Sequence, residues 1–129
     1  MDATVMGALA HKMGIELVDL SAEGGYATMP VEGNTQPIGL LHGGASAVLA
    51  EQLGSLVARA NAPKGKTAVG IELNVTHHSS ARSGRVHARA QTLKAGRSLV
   101  ATQIQIRDDA DQLCASARLT CMLIDAPKN

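Results

Sequence analysis

The chain's 129 residues make one domain, 1–129, large enough to bury about two-thirds of its unfolded surface, and 45% hydrophobic with 18% charged residues excludes a disordered or collagen-like chain. Tyr26 is the only aromatic residue, which argues against a base-stacking nucleic-acid surface. The net charge of +1 hides an asymmetry, because residues 73–107 carry six bases and no acid, giving +6 there against −5 elsewhere. That stretch holds Arg82, Arg85, Arg89, Lys94, Arg97 and Arg107, read either as an anion-favouring side or as solvated strand faces.

No uncharged apolar run reaches about 18 residues, and Asp2 stands where a secretory signal carries positive charge, so no membrane contact is expected. Cys114 and Cys121 fall in one strand-like segment, on the same face but too far apart to bond. Reduced thiols and a cytoplasmic location are expected.

Val5, Met6, Leu9 and Met13 have helical spacing and predict a short helix over 3–13. IELVDL and YATMPV around SAEGG predict a hairpin with a Glu-Gly-Gly turn, Pro30 marking an edge or an end. EGNTQPIG, residues 32–39, is an ordered loop by its turn residues.

Residues 43–60 favour a helix of about five turns, stopped by NAPKGK. It is apolar nearly all round and is therefore expected to be enclosed, its small residues letting a sheet approach closely. Four alternating segments follow: TAVGIELNVTHH, RVHARAQTL, SLVATQIQIR and LCASARLTCMLI, each with one buried face. In the first, Val69, Ile71, Leu73 and Val75 form that face. Short connectors predict an antiparallel meander of these four strands. The fold class is α+β: a curved antiparallel sheet of five to six strands wrapped around one long helix.

Glu51 is the one charged residue between positions 43 and 58, on a stripe with Gly44, Ala47 or Val48, and Ser55. A buried lone carboxylate is costly and is a candidate general base or nucleophile; the alternative is a structural acid at a dimer interface or paired with an arginine. Gly43 and Gly44 leave bare amides at the helix start, as an oxyanion hole requires. Gln36 and His42 flank that start as donors, or simply as a solvated glutamine and a helix cap. Ser55, one turn past Glu51, is placed to orient the carboxylate. Together they suggest acyl transfer to water. His77 and His78 point to opposite faces of a strand, with no cysteine or carboxylate at ligand spacing, so no metal is expected.

QPIGLLHGGASAVLAEQLGS, VGIELNVTHHSSARSG and KAGRS resemble the hotdog-fold, PaaI-like acyl-CoA thioesterases, over residues 14–124. The resemblance is strongest to the branch that hydrolyses aroyl thioesters, including 1,4-dihydroxy-2-naphthoyl-CoA thioesterases and the enterobactin-pathway proofreading thioesterase. It implies Glu51 as catalytic carboxylate, Gly43 as oxyanion amide, Gln36 and His42 as helpers, and Ser55 as the hydroxyl one turn on. Glu51 then either attacks the thioester or activates a water, with coenzyme A entering only as part of the substrate.

Further implications are a dimer of dimers with sites at subunit interfaces, and a basic surface for the nucleotide of coenzyme A around Arg82, Gly96, Arg97 and Ser98. His78, Ser79 and Ser80 fall to the pantetheine path, and His77 to the substrate-binding set beside them. The chain departs from the branch in having no Phe or Trp for the acyl pocket, leaving Leu53, Leu56 or Val69 for an aromatic acyl group. Alternatives are a non-catalytic acyl-CoA-binding hotdog and a thioesterase acting on an acyl carrier protein. A hydratase needs a differently placed His and Asp.

Overall fold

The computed structural model describes residues 5–128. Its elements are α1 (Ala8–Met13), β1 (Glu16–Leu20), β2 (Gly24–Pro30), α2 (Gly43–Ala60), β3 (Lys66–His77), β4 (Arg85–Ala95), β5 (Leu99–Asp108) and β6 (Leu113–Asp125). The strands make one antiparallel sheet in the order β1-β2-β4-β5-β6-β3, wrapped around α2. Among the described residues α1 is shorter than the expected 3–13 helix, whose first two residues lie outside them.

The long helix begins and ends where expected. His42 caps it, Nδ1 accepting from the Gly44 amide at 2.8 Å, and Asn61 closes it by donating to Val57 O and to Ala22 O in the hairpin. Leu49, Leu53, Leu56 and Val57 are wholly buried, as are Val86, Ile104 and Leu119 on the sheet. Each such side chain contributes about 1.5–3 kcal/mol on leaving water. Close approach is literal at Gly54, where a Cβ would stand 2.7 Å from Leu119 Cδ2 and 2.9 Å from Thr102 Oγ1.

Three expectations about the sheet are corrected. First, Gly24 and Gly25 belong to β2 and not to the turn. A Cβ on Gly25 would press on Leu53 and Val57, so the helix requires the small residue there. Second, β3 does not neighbour β4: it pairs with β6 at the far edge, and only β4-β5-β6 form the meander. The 78–84 connector crosses the mouth of the sheet, His78 N donating to Cys114 O and Leu41 N donating to Ala81 O, with Ala81 buried.

Third, β3 changes face partway along. A bulge between Gly70 and Glu72 shifts the register, so Ala68 is buried before it and Leu73 and Val75 pack on the core after it. Val69 and Ile71 are consequently 39% and 53% exposed.

The basic stretch is largely committed to local structure. Arg85 bonds Thr28 Oγ1 and pairs with Glu16, Arg89 lies 4.1 Å over the Tyr26 ring, and Arg107 pairs with Asp111. These three arginines brace strands and turns, and do not form one anion-seeking side.

Candidate active site

The loop before α2 builds one half of the site. Asn34 fastens it by donating to Met13 O and Pro30 O, and accepts from His42 N through its own carbonyl. Gln36 Oε1 accepts from Ile38 N at 2.6 Å, which fixes the side-chain amide and leaves its NH2 available. Gly43 follows, its amide without an acceptor among the described residues and its Cα against the His77 ring, 3.1 Å from the position a Cβ would take. Gln36, Gly43, Ser46, His77, Ser79 and Ser80 thus line one cleft of about 180 Å³ at the positive end of the helix. This is a donor-lined pocket suited to a carbonyl oxygen.

His42 is exposed and spends Nδ1 on the helix cap, and His78 turns away to bond Ser116 Oγ at 2.9 Å. Of the expected pantetheine contacts, Ser79 and Ser80 therefore line the cleft and His78 does not, while His77, expected to bind substrate, lines it too.

Glu51 occupies a second cleft, of about 440 Å³, together with Ser55, Val48, Gln52, Arg59 and the β3 segment 68–70. Its carboxylate is exposed, contrary to the expectation of a buried acid, and makes no hydrogen bond or ion pair among the described residues. The reason is β3, an edge strand whose Gly70 presents no side chain, so the carboxylate lies over bare backbone at the rim of the sheet. Ser55 shares the cleft, but its nearest polar partner is the Cys121 thiol at 4.0 Å rather than the carboxylate. Burial raises the Cys121 pKa above the usual thiol range; the Ser55 bond opposes this, and the Glu51 charge adds to it.

The two clefts are not one. Gly43 and Glu51 are eight residues apart on α2, a rise of about 12 Å and a turn of roughly 80°. A carbonyl held by the Gly43 amide is out of reach of the same chain's Glu51. The expected adjacency of electrophile and carboxylate does not occur within one chain.

Arg82 and Arg97 are separated further. They flank opposite ends of β4, whose 11 residues span about 35 Å, so one chain does not present both to one nucleotide. Arg82 shares a shallow cleft with Asp108 and Asp109. Gly96, Arg97 and Ser98 form the β4–β5 turn, and Ser98 O accepts from Leu123 N, which places that turn at the Glu51 end of the sheet. Leu53 and Leu56 are wholly buried and unavailable to an acyl group, whereas Val69 lines the Glu51 cleft. Met6, Gln52, Arg59 and Gly70 were not anticipated there; their only sequence signal was helical spacing on α2 and a glycine inside a strand.

A family model described as Thioesterase superfamily matches residues 38–115. The chain is 40% identical over 121 residues to the proofreading thioesterase EntH of Cronobacter turicensis, covering 93% of this chain and 88% of that protein. It is 46% identical over 99 residues to the 1,4-dihydroxy-2-naphthoyl-CoA hydrolase of Escherichia coli K12, covering 76% and 73%. A crystal structure of a thioesterase from Haemophilus influenzae superposes with a TM-score of 0.89 at 39% identity, covering 95% of this chain and 87% of that one.

Proposed function

We propose that this chain, which belongs to the thioesterase superfamily and is a thioester hydrolase, assembles its active site from two copies of itself. The Gly43 amide and Gln36 NH2 of one subunit polarise the thioester carbonyl. Glu51 of the partner subunit supplies the attacking oxygen. That oxygen is either the carboxylate's own, giving an anhydride that water then opens, or that of a water it deprotonates. In the water route Glu51 passes the water's proton to the departing coenzyme A sulfur; in the direct route the sulfur leaves as thiolate, and the water that opens the anhydride supplies its proton. No cofactor beyond the coenzyme A of the substrate is called on.

The observation that carries this reading is the carboxylate of Glu51, the single acid on α1 and α2, unbonded among the described residues and facing an open sheet edge. The β3 edge offers unpaired main-chain groups and exposed Val69 and Ile71, which an antiparallel β3 from a second copy would cover. A two-fold axis at Leu73 of β3 brings residues 69–70 of one chain beside residues 76–77 of the other. The donor cleft then meets the carboxylate cleft, water is expelled around Glu51, and Arg97 and Ser98 of one subunit approach the cleft of the other. Two such dimers form the tetramer. Two free buried cysteines support a reducing, cytoplasmic setting.

Names of relatives support an aroyl-CoA substrate such as 1,4-dihydroxy-2-naphthoyl-CoA. The test is Glu51→Gln assayed against a panel of aromatic and aliphatic acyl-CoAs and acyl carrier proteins. Loss of thiol release with ligand binding retained is expected; undiminished turnover would remove the carboxylate from the mechanism. Oxygen-18 water under single turnover separates the routes, since only direct attack puts enzyme oxygen into the product acid.

A further inference from the structure

A second device lies beside the same carboxylate. The segment preceding α1 is strapped along α2 by two helix side chains: Gln52 Nε2 donates to Met6 O at 3.0 Å, and Arg59 NH1 donates to Val5 O at 3.3 Å. Gln52 Nε2 also lies 3.8 Å from Met6 Sδ, so one amide group holds both the main chain and the thioether of Met6. The other end of the strap is anchored by Ala10, which is wholly buried, and by Gly14, whose left-handed conformation closes α1 onto Ala10 O and His11 O.

Held at both ends, the strap places Met6 and Leu9 in the wall of the Glu51 cleft, which Val48 and Val69 also line. Leu9 remains 55% exposed and Val5 51%, an apolar surface that the core of this chain does not use. Both pins are polar groups of α2 reaching the main-chain carbonyls of Val5 and Met6.

We infer that the Val5–Leu9 strap is the acyl-pocket wall, that Met6 sets the size of acyl group accepted beside Glu51, and that Gln52 is its positioning residue. The inference rests on the thioesterase reading for the identity of the occupant. The strap's own contribution to the cleft, Met6 and Leu9, is thioether and aliphatic, so the part of the acyl group that lies against the strap is an apolar face read by size, while Gln52, Ser55 and Arg59 are the polar side chains of the same cleft beside Glu51. A pocket of this kind separates substrates that differ by a methylene about 10–200-fold. Methionine is an adaptable filler, and its truncation leaves room for a larger ring.

The experiment measures binding apart from turnover. Calorimetric affinities are taken for unhydrolysable ketone analogues of benzoyl-CoA and 2-naphthoyl-CoA, with wild-type protein, Met6→Ala and Gln52→Glu. The last keeps its length but has lost the donor that holds Met6. Met6→Ala should move the naphthoyl-to-benzoyl preference at least 10-fold toward the larger group, and Gln52→Glu should move it in the same direction. An unchanged ratio in both variants, or equal loss for both ligands, overturns the strap as a size filter, whatever the hydrolytic activity. A shifted ratio in protein that hydrolyses none of the parent thioesters upholds the strap and sinks the thioesterase mechanism instead. Should Met6→Ala fold poorly, Met6→Leu with the same ligand pair gives the ratio.

Discussion

One oxygen of the Glu51 carboxylate stands 2.6 Å from the point a Cβ on Gly70 would occupy. The missing side chain on β3 is what lets a charged group from α2 rest on the sheet edge. Gly70→Ala must push the carboxylate aside, since the other neighbour, Leu119 Cδ1 at 3.3 Å, belongs to the core. Displacing a reacting group by about 1 Å costs on the order of 100-fold in rate. Steady-state kinetics should show kcat falling on that scale with KM little altered, while circular dichroism stays native.

Thr102 is 1% exposed, and its hydroxyl has no hydrogen-bond partner among the described residues. It faces Gly54, on which a Cβ would stand 2.9 Å from the hydroxyl. Thr102→Val removes the unpaired hydroxyl at nearly constant volume and should stabilise by about 1 kcal/mol. A melting temperature raised by about 3–5 °C in calorimetry is expected; a lowered one would mean the hydroxyl is satisfied.

Both thiols are poor nucleophiles in the folded chain. Burial drives the pKa of Cys114 and Cys121 upward, the Ser79 and Ser55 contacts only partly offsetting it. At pH 8 a disulfide reagent should titrate neither in native protein and both after denaturant is added, as followed by absorbance of the released thiol.

Asp109 joins the β5–β6 turn to β4 by accepting from His87 Nε2 at 2.6 Å and from Arg85 N at 3.1 Å. The His87 bond, then the Arg85 amide, hold its carboxyl below the ordinary range. A depressed folded value means the contribution is complete above the unfolded value near 4 and is lost as pH falls through the folded one. Asp109→Asn should therefore flatten the acid limb of a stability profile below about pH 4. Urea titrations across that range check it.

The helix was legible because its signals are local: apolar composition, a histidine and two glycines at one end, NAPKGK at the other. The strands were legible from alternation for the same reason. What escaped were relations between distant segments. Nothing in TAVGIELNVTHH announces that its partner is β6 and not β4, nor that a bulge at Gly70–Glu72 swaps its faces, since both follow from how the sheet closes around α2. Gly24 and Gly25 look like turn residues until Leu53 and Val57 are seen above Gly25. Glu51 was singled out by charge alone, but its exposure depends on which strand ends the sheet. Arginines counted together along the chain prove to be spent one by one, on Glu16, on Tyr26 and on Asp111.

The roughly 12 Å between Gly43 and Glu51 carries a genetic consequence. If each catalytic centre borrows from two polypeptides, crippling lesions at the two ends of α2 need not be equally fatal in combination. Chains bearing Gln36→Ala, mixed with chains bearing Glu51→Gln and allowed to exchange, would form hybrids in which one centre inherits both defects and the other neither. Such a mixture would recover activity that neither parent possesses, approaching one quarter of wild type, as expected for random reassortment with half of all molecules hybrid and one of two centres restored in each.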